Sequence, residues 1–118
     1  MESLKKNEDF RNCYRSGKSY ANHYLVLYVW KNGKDRSRIG ISVSKKVGNS
    51  VVRHHITRLV RESYRLHEDM FNSGLDMAVV ARSAASKARY TDIEKALMDL
   101  AGRANRLHET VREGEDRG

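Results

Sequence analysis

Residues 44–65 read Ser44-Lys45-Lys46-Val47-Gly48-Asn49-Ser50-Val51-Val52-Arg53-His54-His55-Ile56-Thr57-Arg58-Leu59-Val60-Arg61-Glu62-Ser63-Tyr64-Arg65, a strand end, a tight glycine turn and a helix with two unlike faces. At about 100° per residue with Arg53 at zero, Thr57, Arg61, His54, Arg65 and Arg58 fall within an arc of ~140°, and Leu59, Val52, Ile56 and Val60 lie opposite. Such a helix packs one face on a core and offers positive charge on the other. Strands are predicted on both sides of it, and strand, helix, strand implies a parallel pair joined by a crossover, which general statistics make right-handed.

Upstream, residues 38–44 alternate Ile39, Ile41 and Val43 against Gly40, Ser42 and Ser44, which predicts a strand with one apolar and one small face. The small face leaves room for a helix or a ligand to approach closely. Asn32-Gly33 supplies residues that tolerate positive φ and predicts a hairpin, with a loop reaching as far as Arg36, between this strand and residues 24–30. In residues 24–30, Leu25, Leu27 and Val29 face one way and Tyr24, Val26, Tyr28 and Trp30 the other, so both faces are expected to be covered. Residues 18–23 have no strong period and fit an edge strand or a loop. Residues 7–16 predict a helix capped by Asn7, with Glu8 and Asp9 in its first turn and Gly17 just past its end. Phe10, Cys13 and Tyr14 share a face of that helix.

Downstream, the polar residues 68–73 precede residues 75–81, a short apolar run that reads as a buried strand. Thr91-Asp92-Ile93-Glu94 predicts a capping box opening a last helix with Ile93, Leu97, Leu100, Ala104 and Leu107 on one stripe. Residues 1–108 thus form one domain, and 109–118 a polar tail expected to be disordered.

The 118 residues suffice for a single core without staples. The net charge is +8, and the tail holds four acidic and two basic side chains, so the body carries 21 basic against 11 acidic, or +10. A folded basic body points to a polyanion, nucleic acid first and anionic membrane second. With Cys13 as the only cysteine no intrachain disulfide forms, which suits a reducing compartment, and the cytoplasm is expected. No apolar run approaches the ~18 residues of a membrane helix, and the first residues lead into polar sequence rather than a secretory apolar core.

Phosphate binding needs positive charge, fixed donors and a backbone that permits close approach. Lys45 and Lys46 supply charge, Gly48 the turn, Asn49 a helix cap, and the first helical N–H groups point toward an anion. Arg53, Arg58, Arg61 and Arg65 extend the charge along the helix, each able to grip a phosphate or stack on a base. The competing reading is a solvated face with an ion pair such as Arg58 to Glu62. His54, His55, His67 and Glu62 invite a metal or general-base role, but adjacent histidines on a helix diverge by about 100° and no His-Glu-x-x-His pattern exists. His54 lies within the basic arc and His55 at its margin. Phe10, Tyr14 and Tyr28 form a second group, because aromatic faces between cations suit single-stranded nucleic acid.

Leu4 to Phe10, Gly17 and the block from Arg38 to Arg53, which reads Arg-Ile-Gly-Ile-Ser-Val-Ser-Lys-Lys-Val-Gly-Asn-Ser-Val-Val-Arg, resemble the protein subunit of bacterial ribonuclease P, and the resemblance covers about residues 4–107. It implies an α+β fold, a single domain with a four-stranded sheet and three helices, similar to a ribosomal-protein domain and with a left-handed βαβ crossover. It implies an accessory subunit of an endoribonuclease that removes the 5′ leader of precursor tRNA, with hydrolysis performed by Mg2+ in the catalytic RNA and no catalytic residue or metal site in this chain. The implied partners are that RNA and the leader, not DNA or membrane. By position, Lys45, Lys46, Asn49, Arg53, His54, His55, Arg58, Arg61 and Arg65 would contact RNA, and Phe10, Tyr14 and Tyr28 would line the leader cleft. In the family's basic motif this chain has His54 for asparagine, His55 for arginine and Thr57 for lysine. A structural ribosomal-RNA binder and a stand-alone nuclease using His54, His55 and Glu62 are the rival functions.

Overall fold

The computed structural model describes residues 2–117, with side chains through residue 105. The expectations for Leu107 and for the tail from Glu109 fall outside the described side chains. The elements run β1 (Glu2–Ser3), α1 (Asn7–Ser16), β2 (Lys18–Ala21), β3 (Leu25–Lys31), β4 (Arg38–Ser42), α2 (Ser50–Leu66), β5 (Leu75–Ala81) and α3 (Tyr90–Arg117), with 3-10 turns at Glu68–Met70 and Ser83–Lys87. The single domain, its mixed sheet and its three helices agree with the expected α+β architecture. The sheet has five strands rather than four, in the order β1-β4-β5-β3-β2. The additional strand is β1, whose Glu2 and Ser3 pair in parallel with Arg38 and Ile39; two residues are too few to show a period.

The parallel pair joined through α2 is β4 and β5. The hairpin expected at Asn32-Gly33 does not form, because β5 lies between β3 and β4, antiparallel to the first and parallel to the second. Gly33 does take a positive φ of 73°, so the local turn signal was sound. It bends the chain past the start of β5, where the Asn32 N–H donates to Gly74 O at 3.0 Å. The open question over residues 18–23 resolves as an edge strand, β2, antiparallel to β3.

One sheet face carries Leu25, Leu27, Ile39, Met77 and Val79, all buried with Ile56, Val60 and Tyr64 of α2 and Ile93, Leu97 and Leu100 of α3. This is the main core. A Leu or Ile side chain buried there contributes on the order of 2 kcal/mol. On the other face α1 covers a smaller cluster of Leu4, Cys13 and Ala78.

Helix ends differ in detail from expectation. Asn7 is the first residue of α1 rather than its cap; Lys6 holds the cap position without a side-chain bond. Gly17 has an extended backbone at φ −79°, and its requirement is space: a Cβ there would sit 2.8 Å from Val29 O. α3 begins at Tyr90, and Asp92 closes the turn by accepting the Arg89 N–H at 3.0 Å. Glu94 instead accepts from the Tyr90 hydroxyl and pairs with His67, the residue that caps the end of α2, at 3.1 and 3.0 Å, tying α3 to the end of α2. No described helix is long and apolar enough to cross a membrane.

Candidate nucleic-acid interface

Beyond β4 the chain turns through residues 44–47, closed by the Val47 N–H donating to Ser44 O at 3.1 Å. Val47 is buried, which anchors the turn and leaves Lys45 and Lys46 exposed. A Cβ on Gly48 would lie 2.8 Å from the Val52 side chain, so the turn leans on the first turn of α2 at glycine. Asn49 caps the helix as expected, its side chain accepting the Val52 N–H at 3.0 Å. The first turn of α2 contains no carboxylate to neutralise the positive helix end.

Ile56, Val60, Ser63 and Tyr64 fix the inward face of α2. His54, His55, Arg58, Arg61 and Arg65 are exposed on the other side, and Arg53 and Thr57 are half-buried between them. The basic arc therefore stands outward as one surface. Among the described residues, Arg58 and Arg61 form no ion pair; Glu62 takes Arg65 at 2.6 Å, rather than Arg58. Arg53 Nε is buried without a hydrogen-bond partner, a donor held ready at the edge of the surface. Thr57 turns its hydroxyl back onto Arg53 O at 2.9 Å, so it offers the surface little.

The histidines do not converge. His67 lies outside the basic arc, on the apolar side, and meets Glu94, while His54 and His55 are exposed to solvent. No group of three or more His, Cys, Asp or Glu side chains placed to hold a metal occurs among the described residues.

The aromatic group lies where α1 crosses the sheet. The small face of β4 admits the helix: the Phe10 ring rests on Gly40 so closely that a Cβ there would collide with it. Phe10 is thus half-buried floor. Tyr14 and Tyr28 meet edge to face with centroids 4.9 Å apart, and Tyr14 is 41% exposed. Burial of one side of the Tyr14 ring raises its phenol pKa, and a hydrogen bond with Ser42 opposes that rise. Ser42 lies three residues before Lys45, so the aromatic patch runs directly into the basic turn. Half-buried Val26 and Val80 lie beside Ser42 in the sheet register and extend the open strip; alternation placed Val26 on the Tyr28 face, but only the insertion of β5 brings Val80 there.

What holds α1 in place was missed in the sequence because it centres on one carboxylate inside an apolar run. Asp76 is fully buried and accepts from Arg38 Nε and Nη2 at 2.9 and 2.6 Å and from Asn32 Nδ2 at 2.9 Å. Arg38 also donates to both oxygens of Asp9 on α1 at 3.3 Å. The Asp76 hydrogen bond leads the causes that raise the Arg38 pKa. Cys13 packs beneath, its thiol pushed up to about 11 by burial and by the nearby Asp76 and Asp9.

The sequence matches the family profile of Ribonuclease P over residues 1–105. It is 54% identical over 114 residues to a ribonuclease P protein component of Lachnoclostridium phytofermentans, covering 97% of this chain and 95% of that one. A ribonuclease P protein component of Clostridium acetobutylicum is 52% identical over 103 residues, covering 86% and 87%. The fold superposes on the RNase P protein of Staphylococcus aureus with a TM-score of 0.81 at 37% identity, covering 88% of this chain and 95% of that one. The RNase P protein of Thermotoga maritima gives 0.79 at 33%, covering 87% and 97%.

Proposed function

Because the chain belongs to the ribonuclease P protein family and is thereby a subunit of the ribonuclease that processes tRNA, we propose that its two surfaces divide the labour of RNA recognition. The exposed face of α2, with Lys45, Lys46, Asn49, Arg53, His54, His55, Arg58, Arg61 and Arg65, docks on the catalytic RNA. The strip beside α1, with Tyr14 and Tyr28 at its edge and Phe10 as its floor, holds single-stranded leader nucleotides of precursor tRNA. The observation that carries this reading is the continuity of the two surfaces at Ser42 to Lys45: stacked bases on the strip put their phosphates beside the basic turn.

Mg2+ held by the RNA and its substrate supplies the hydrolytic chemistry. The protein binds and orients. By adding contacts to the leader it increases substrate affinity, and by adding positive charge it lowers the Mg2+ concentration that the assembled RNA requires.

Reconstitution tests the proposal. With the cognate RNA subunit at low Mg2+, the protein should accelerate cleavage of leader-bearing precursor, and Tyr14→Ala should raise KM for that substrate more than for one with a single-nucleotide leader. No acceleration, or cleavage by the protein without RNA, would overturn it.

A further inference from the structure

α1 is only ten residues long, too short to be stable by its own helicity, so its seat on the sheet decides where its side chains stand. It lies over the row formed by Gly40, Ala78 and Tyr28, which are in register on β4, β5 and β3. Two of those three residues are glycine and alanine, so the floor offers few side chains to interlock with the helix. The cluster beneath it is small, with Leu4, Cys13 and Ala78 as its buried members. The Phe10 ring seated on Gly40 pins one point, and a single point leaves the helix free to roll.

The two flanks of α1 are held differently. On one flank Asp9 accepts from Nη1 and Nη2 of Arg38, both at 3.3 Å, above the row of Arg38, Asp76 and Trp30. Arg38 is itself fixed, because the fully buried Asp76 takes its Nε and Nη2 at 2.9 and 2.6 Å and is held in turn by Asn32 at 2.9 Å. Every nitrogen of Arg38 is thereby engaged within the fold. On the other flank Tyr14 leans over the open row of Ser42, Val80 and Val26. Five residues separate Asp9 from Tyr14, about 140° around the helix axis, so the two stand on opposite sides of the line of contact. A roll that releases Asp9 turns Tyr14 by the same angle. With side chains about 5–6 Å from the axis, a roll of about 10° displaces Tyr14 by about 1 Å. The edge-to-face pair of Tyr14 and Tyr28, with centroids 4.9 Å apart, depends on that placement.

We propose that Asp9 is a positioning residue for leader recognition: through Arg38 and the buried Asp76 it sets the roll of α1, and with it the reach of Tyr14 over the strip. This rests on the leader strip of the proposed function and adds what fixes its geometry. Asp9 acts through Tyr14 and not by touching RNA. Electrostatics alone would act with the opposite sign, since removing a carboxylate beside a bound polyanion favours binding.

The test uses holoenzyme reconstituted with the cognate RNA subunit and precursors bearing a full or a single-nucleotide leader. Asp9→Ala should raise KM for the full-leader substrate by about tenfold, the worth of one lost stacked base. Its kcat should stay within about twofold, and its KM for the single-nucleotide leader should not change. Asp9→Glu, whose longer arm still reaches Arg38, should recover most of the loss. Glu8→Ala, which removes the neighbouring first-turn carboxylate and no tether, should leave both KM values unchanged. In the free protein, the nuclear Overhauser contact between the Tyr14 and Tyr28 rings should weaken in Asp9→Ala and return in Asp9→Glu. If Asp9→Ala fails to fold, Asp9→Asn takes its place with the same direction expected. An unchanged or lowered KM for the full leader, an equal rise for both substrates, an equal effect of Glu8→Ala, or an unaltered ring contact would overturn the assignment. If Tyr14→Ala shows no leader-dependent effect, the strip itself fails and this role with it; if Tyr14→Ala acts and Asp9→Ala does not, the positioning role alone fails.

Discussion

Truncating Arg58 and Arg61 to alanine tests whether the α2 face meets phosphates, and the ion-pair pattern sets the magnitude. Both guanidinium groups are exposed and unpaired among the described residues, so each can displace condensed counterions from RNA at no cost to an existing bridge. Each phosphate contact contributes about 0.7–0.9 to the log-log salt slope, so raising salt from about 50 to about 200 mM weakens binding about 2.6- to 3.5-fold per contact. The double variant should therefore lose a factor of about 7 to 12 in salt sensitivity over that range, compounded from the same slopes. Arg65→Ala should lose less, because Arg65 must first leave Glu62 at 2.6 Å. Anisotropy titrations of labelled RNA subunit at fixed Mg2+ measure these slopes. Unchanged slopes for Arg58 and Arg61, or an Arg65 effect as large as theirs, would show that the face does not dock as described.

Three further outcomes follow from the fold. Gly40→Ala forces the Phe10 ring off the sheet and should cost about 1–3 kcal/mol in denaturant unfolding, and a change under about 0.5 kcal/mol would show that α1 shifts freely. Asp76→Ala strands the Arg38 and Asn32 donors and should cost about 3 kcal/mol, near the low end for a broken buried pair because Arg38 keeps Asp9; a loss below about 1 kcal/mol would contradict the assigned role. The Glu94 carboxyl is held below its usual pKa by its hydrogen bonds from His67 first and Tyr90 second, so its contribution is present above pH 4.5 and lost as pH falls through the lowered value. Glu94→Gln should consequently lose less thermal stability than the parent between about pH 5 and 3, and equal losses would remove the helix clip from the account.

The sequence was most legible where the signal is local. The 3.6-residue period of α2, the Asn49 cap, and the apolar run of β5 appear in the structure as read. Asn32-Gly33 encodes the turn that forms but not a hairpin, because strand order depends on where residues more than forty positions later insert. The turn could not signal that β5 would claim the place between its flanking strands. Likewise Thr91 and Glu94 fit a capping box, but Glu94 takes its partners from His67 and Tyr90. The aromatic strip was legible as residues and not as a surface: Phe10 proves to be floor, and Val80 joins only through β5.

The position of β5 also has a temporal consequence. β2 and β3 form one ribbon and β1 and β4 another, and β5 alone joins them. Emerging from the ribosome, the first seventy-four residues therefore hold two half-sheets with facing open edges, a state exposed to mispairing and to capture by chaperones. Completion awaits a segment that must enter between two strands already made. Asp76 then acts as a register key: slid by one residue, β5 would turn this carboxylate into the apolar core and leave Arg38 and Asn32 unanswered, so only one insertion satisfies both ribbons.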